Sequence, residues 1–126
     1  MSVESVKKEG DKLLTPLAKA IHPYCEACGA LASVGHHYIE KSRSNLLRFN
    51  MDNIISLCQS CHTKIHNQFR GNSLAAHDTA ELVRKARGEK WYKKIRSLEH
   101  QSIKADIIFW SNQLEELKCL SGSYNL

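Results

Sequence analysis

The chain has 126 residues, 42% of them hydrophobic, which suits one domain of ordinary size with a modest core. Its net charge is +5 and its pI about 9.0, which suits an anionic partner, nucleic acid first, and equally a basic surface that only keeps the protein soluble; charge alone does not separate the two. No apolar run approaches the roughly 18 residues of a membrane span. The start, MSVESVKKEGDKLL, carries no long apolar stretch of a secretory signal, so the five cysteines are expected in a reducing compartment.

Residues 3–21 are mostly helix formers, with Leu13, Leu14, Leu17, Ala18 and Ile21 at helical spacing, Gly10 as an expected interruption and Pro23 as the stop. YCEACGA then reads as a turn carrying Cys25 and Cys28. LASVGHHYI reads as two short extended pieces broken by Gly35, EKSRSNLLRFNMD as a polar, basic loop, and NIISL as a short apolar strand. A helix is expected from Cys58 to about Phe69, closed by RGNS through Gly71.

The remainder reads as helical. Asp78 with Glu81 three positions later forms a capping-box-like start, with Leu82, Val83 and Ala86 on the inner face and Gly88 as punctuation. Trp91, Ile95 and Leu98 continue beyond it. From Ser102 to Leu120, Ile103, Ile107, Trp110, Leu114 and Leu117 alternate in steps of four and three. That seam packs on the domain or, as the alternative, on a second copy in a homodimer. Cys119 reads as an ordinary thiol on this helix.

Cys25-x-x-Cys28 and Cys58-x-x-Cys61 are two pairs separated by 29 residues. Each pair places two sulfurs on one side of a tight turn or helix start, and two pairs complete a closed tetrahedral site for a structural Zn2+. Four free thiols or a redox pair are the alternative. With the cysteines so used, His62 and His66 remain, one turn apart on one helix face. Adjacent residues on a helix point about 100° apart, so Cys61 and His62 suit different ions. Two such histidines call for a third ligand, and GHHYI offers His36 and His37. Neighbours on a strand face opposite ways, which gives the two histidines different tasks.

The pattern C-x-x-C … HH … N-x-x-x-L-C-x-x-C-H-x-x-x-H, from about Cys25 to His66, resembles the HNH (ββα-metal) endonuclease motif in its zinc-binding variant. The resemblance implies an α+β fold: a small zinc-stabilised ββα-metal (treble-clef-like) core over 22–70, with an N-terminal helical segment over 1–21 and a helical extension over 71–126. It implies His36, His62 and His66 as ligands of a catalytic divalent cation, His37 as the general base, and Asn53 as the residue that orients that base. The function it implies is metal-dependent hydrolysis of DNA phosphodiester bonds. Histidine suits proton abstraction from water near neutral pH, and a bound cation acts as a Lewis acid on the phosphate. Mg2+ or Mn2+ is the expected working ion, with Zn2+ or Ni2+ also compatible with imidazole ligands.

CEACG, GHHY, LRFNMDNI and the helical tail are further similar to phage NinG/Rap-type recombination endonucleases. That similarity implies branched DNA as the substrate and the cytoplasm of a bacterium or phage-infected cell as the location. Lys41, Arg43 and Arg48, in the loop between base and Asn53, are suited to phosphates flanking the cut. A second basic group is Arg84, Lys85, Arg87, Lys90, Lys93, Lys94 and Arg96, interleaved with Trp91 and Tyr92, which read as core or interface residues. The competing class is a zinc-stabilised DNA-binding or adaptor module without catalysis. It accounts for the cysteines and the charge, but gives His36, His37, Asn53 and His62 no joint role.

Overall fold

The computed structural model describes residues 2–66 and 73–126. Helix α1 spans Val3–Ile21 and is capped by Ser2, whose hydroxyl oxygen accepts from the Ser5 N–H at 3.1 Å. It runs unbroken through Gly10, contrary to the expected interruption. Gly10 is buried, and a Cβ there would come within 2.4 Å of the Phe49 ring. Its role is to let an aromatic ring approach the helix axis, not to end the helix.

Strand β1 (Val34–His37) pairs antiparallel with β2 (Ile54–Leu57), in the register Val34↔Leu57, Gly35↔Ser56, His36↔Ile55 and His37↔Ile54. Gly35 does not break β1 either. A Cβ on it would meet Ala18 Cβ and Ile54 Cγ2, each at 3.0 Å, and the Leu14 carbonyl oxygen at 3.2 Å. The missing side chain lets α1 lie directly on the strand, and the Gly35 N–H donates to Thr15 Oγ1 at 3.1 Å. The far edge of the ribbon is closed by Glu26. Its N–H donates to the Ser56 carbonyl at 2.8 Å, and its carboxylate accepts the Ser56 N–H at 2.7 Å. Neither edge is therefore left bare.

All four residues of β2 are buried because both faces are covered. Ile54 belongs to a core built from Leu14, Leu17 and Ala18 of α1, Phe49 of the loop, and Trp110, Leu114 and Leu117. Ile55 and Leu57 face a second core with Cys25, Cys61 and Val83. A strand buried on both sides favours apolar residues at successive positions, and the one polar member, Ser56, donates its hydroxyl to the Ala18 carbonyl at 2.8 Å.

The loop after β1 has the expected irregular backbone, but Ile39, Leu47 and Phe49 anchor it in the interior. It ends in a single 3-10 turn, Met51–Asn53. Helix α2 spans Gln59–His66, and the expected continuation to Phe69 and the stop at Gly71 lie outside the described residues.

Helix α3 spans Ser73–Arg87, so Asp78 lies inside it and does not cap it. Its buried positions are Ala76, Thr79 and Val83. The expected inner residues Leu82 and Ala86 are exposed, because the stripe is set by α2 and the sheet and is rotated from the sequence estimate. Gly88 does separate α3 from α4 (Glu89–Glu99), where Ile95 is fully buried.

Helix α5 spans Ile107–Ser123, capped by Asp106, whose carboxylate accepts the Phe109 N–H at 3.0 Å. It starts later than expected. Ile103 precedes it, and both Ile103 and Ile107 are exposed, whereas Trp110, Leu114 and Leu117 are buried on α1. No described helix is long and apolar enough to cross a membrane.

Candidate metal centre and active-site cleft

The turn after α1 is built by backbone hydrogen bonds from the Cys25 N–H to the Ala30 carbonyl (2.6 Å) and from the Gly29 N–H to the Cys25 carbonyl (2.9 Å). Tyr24 and Leu31 form a β-bridge across its base. Cys25 and Cys28 project from this turn toward Cys58, just before α2, and Cys61 in its first turn. One ligand atom from each of the four cysteines lies within 4.8 Å of all the others, and the Cys28 and Cys58 sulfurs are 3.6 Å apart. Zinc–sulfur bonds of about 2.3 Å in a tetrahedron place sulfurs about 3.8 Å apart, so the cluster fits a structural Zn2+.

The backbone prepares these thiols for a cation. Burial disfavours the Cys25 thiolate, but hydrogen bonds from the backbone of Cys58, Cys28 and Ala27 outweigh it and bring the thiol down to about 7. Burial and the neighbouring sulfurs push Cys61 up. A ring of thiols that resist joint ionisation is what a divalent cation relieves, since the thiolate is the ligand.

The strand register determines the second centre. Directly opposed residues share a face, so His36 sits with Ile55 on the α2 side and His37 with Ile54 on the α1 side. His36 thereby meets His62 and His66. The three rings lie edge to face with centroids 4.4 to 5.2 Å apart, and one nitrogen from each falls within 4.8 Å of the other two. His62 Nε2 and His66 Nε2 are 2.9 Å apart. Burial first, then the neighbouring rings, holds His36 down to about 3, and burial with His66 lowers His62. Neutral imidazoles converging on one point are suited to holding a divalent cation. Together, a β-ribbon packed on a zinc-compatible knuckle and a histidine-bearing helix make an α+β core with two clusters suited to metal.

Residues 24–68 match the family model described as HNH endonuclease. The matched stretch holds both C-x-x-C pairs, the ribbon and α2, and leaves α1, α3, α4 and α5 outside it. No curated protein and no solved structure gives a match.

His37 Nε2 is 2.8 Å from the Arg48 carbonyl oxygen. Asn53 is fully buried, and all its polar atoms are engaged in the same loop. Its Nδ2 donates to the carbonyls of Ile39 (3.0 Å) and Leu47 (3.3 Å), and its Oδ1 accepts the Ile39 N–H at 2.8 Å. Asn53 thus pins the loop at both ends, one residue from the carbonyl that meets His37. Burial lowers the His37 pKa, partly opposed by that carbonyl.

The loop cations are placed differently from one another. Arg48 grips Asp11 of α1 through Nη2 at 2.7 Å and Nε at 3.3 Å, and Lys41 lies 3.9 Å from the same carboxylate. Arg43 is the more exposed, 3.9 Å from Glu99 at the end of α4. Of the helical cluster, Arg87 is a structural tie. It donates to Glu26 at 2.6 and 3.0 Å and to the carbonyls of Asp52 and Ile54, each at 2.8 Å. Trp91 Nε1 also donates to the Asp52 carbonyl at 2.7 Å, and Lys94 reaches its carboxylate at 2.7 Å. Lys85, Lys90 and Lys93 are exposed.

A cavity of about 580 Å3 opens beside His36, His37 and His66. His36, His37, Arg43 and His66 form its core side, and His77, Tyr92 and Arg96 of α3 and α4 the facing wall. His77 belongs to no sequence motif, and Arg96 stands in sequence only within a generic basic run. Nothing in their spacing signals that the extension folds back over the histidines.

Proposed function

We propose that the protein is a metal-dependent DNA endonuclease of the HNH type, with His37 as the general base. The observation that carries this reading is the bond between His37 Nε2 and the Arg48 carbonyl. A carbonyl oxygen can only accept, so Nε2 holds the proton and Nδ1 keeps the lone pair that can take a proton from water. Asn53 keeps the loop, and with it that carbonyl, in place. The lowered pKa of His37 leaves it unprotonated at neutral pH, as a base requires.

His36, His62 and His66 would hold the divalent cation, which when bound supplies Lewis acidity at the phosphate and stabilises the leaving oxygen. The four cysteines would hold a separate Zn2+ that fixes the start of α2 and so the direction of His62 and His66. The adaptor reading leaves the His37 tautomer and the Asn53 clamp without use.

The test is nicking of supercoiled plasmid with Mg2+, Mn2+, Zn2+ or Ni2+, followed by linear duplex, single-strand, flap and four-way-junction DNA. Cleavage lost in His37→Ala, with zinc content and melting unchanged, supports the reading. Cleavage by that variant at the parental rate overturns the base assignment. Preference for the junction would support the branched-DNA similarity, and equal cutting of linear duplex would remove it.

A further inference from the structure

Two arginines from distant parts of the chain meet one carboxylate at the cavity. Arg43 belongs to the loop that follows His37, and Arg96 to α4, outside the family-matched residues. Both line the cavity that contains His36, His37 and His66. Arg43 Nη1 is 3.9 Å from one Glu99 oxygen, and Arg96 Nη1 is 2.8 Å from the other. The Glu99 side chain is only 10% exposed, whereas those of Arg43 and Arg96 are 64% and 42% exposed. The buried carboxylate therefore acts as an anchor and the guanidiniums remain open to the cavity side. Two cations on one anion leave this trio with one net positive charge, beside the Glu40 carboxylate in the same lining, and a guanidinium has five donors of which a single carboxylate oxygen engages few. Arg48 differs in kind, since Asp11 engages it through two nitrogens and its side chain is 15% exposed.

We propose that Arg43 and Arg96, held by Glu99, form a phosphate-binding subsite for a backbone phosphodiester of the strand that lies in the cleft. This deepens the nuclease reading and rests on it for the identity of the strand. It makes the helical extension part of the substrate site: α4 supplies one half of the clamp and the loop after the base supplies the other. A planar guanidinium matches a phosphate oxygen pair, and two of them on a shared anchor hold the strand at a set distance from the histidines.

The experiment measures two quantities for the full chain and for Arg43→Ala, Arg96→Ala and Lys118→Ala. One is binding of a labelled oligonucleotide, single-stranded and duplex, across salt concentrations in buffer without added divalent ion. The other is the split of nicking between kcat and KM. Lys118 lies on α5, which contributes nothing to the cavity lining, and serves as the charge control. Loss of one phosphate contact lowers the slope of log K against log salt by about 0.9 on duplex or about 0.7 on a single strand. Each arginine variant should show that drop and a several-fold rise in KM, while Lys118→Ala shows neither. Arg96→Lys should recover part of the binding. Melting curves identify any variant that fails to fold, and Arg43, on an exposed loop, provides the independent arm.

Unchanged slope and KM in both arginine variants overturns the subsite. An equal drop for Lys118→Ala also overturns it, because the effect would then be diffuse charge. If the parent cuts nothing with any ion while the arginine variants still lose salt-dependent binding, the nuclease reading fails and the subsite stands.

Discussion

The Nε2 atom of His37 faces the carbonyl oxygen of Arg48 at 2.8 Å, eleven residues along the chain, and that single contact sets which ring nitrogen carries the proton. The carbonyl is fixed in turn by the neighbouring Leu47 carbonyl, which accepts from buried Asn53. His37, its tautomer and Asn53 form one mechanical unit. His37→Ala should reduce plasmid nicking by about 10²- to 10⁴-fold, the range for loss of a general base. His37→Gln keeps a donor for the Arg48 carbonyl but no basic nitrogen, and should be equally inactive. Gel-based nicking rates check both.

Asn53→Ala removes the two donors and one acceptor that close the loop, leaving the Ile39 and Leu47 carbonyls and the Ile39 N–H without that partner. A buried group left unsatisfied costs about 1–3 kcal/mol. The variant should therefore lose about 3 kcal/mol in urea unfolding and lose activity beyond what the stability change explains. A variant as stable as the parent would show that the loop holds itself.

The four-cysteine site should be separable from the histidine site. Cys58→Ser removes a ligand beside α2, so zinc content should fall and the melting temperature should drop, since structural zinc contributes directly to folding. A mild chelator should remove an exchangeable ion at His36, His62 and His66 first, and stop cutting without unfolding. Metal analysis alongside circular dichroism checks this. Loss of both ions and of the fold in a single step would contradict the separation.

The site was legible in sequence to the degree that its residues act through backbone-local geometry. Paired cysteines, histidines one helical turn apart and a His-His dipeptide on a strand carry spacing signals, and the structure brings Cys25, Cys28, Cys58 and Cys61 together, and His36 with His62 and His66. What spacing cannot carry is long-range partnership. Glu26 sits between two cysteines with no signal of its own, yet it closes the β2 edge and pairs with Arg87, 61 positions away. Gly10 and Gly35 look like breaks in sequence because glycine is conformationally permissive. Both instead make room for a neighbour, Phe49 and α1 respectively, that local sequence does not reveal.

Gly10 gives a prediction whose sign distinguishes the two roles. Replacing a helix-interior glycine with alanine ordinarily stabilises by about 1 kcal/mol. Here the added methyl would lie 2.4 Å from Phe49 Cζ, and overpacking typically costs about 1–3 kcal/mol. Gly10→Ala should therefore destabilise in a thermal melt. Gly10→Ala combined with Phe49→Leu should recover part of the loss. A Gly10→Ala variant that melts higher than the parent would mean that the ring can move aside freely.

Arg87 and Glu26 tie the extension to the cysteine- and histidine-bearing core, and a double-mutant cycle can measure that tie. Their side chains are 11% and 9% exposed, and Arg87 also satisfies the carbonyls of Asp52 and Ile54, next to Asn53. Breaking a buried pair from one side leaves an uncompensated charge and costs about 3–5 kcal/mol. Arg87→Met should fall in that range, because Glu26 loses its countercharge and the Ile54 carbonyl loses its arginine donor, while the Asp52 carbonyl keeps Trp91 Nε1. Glu26→Gln should cost less, since an amide oxygen can still accept from Ser56. The double variant should be clearly more stable than the two single losses added together, which urea unfolding of all four proteins would show. Strict additivity would mean that the pair is incidental, and that Trp91 and Lys94 through Asp52 suffice to hold α4 on the core.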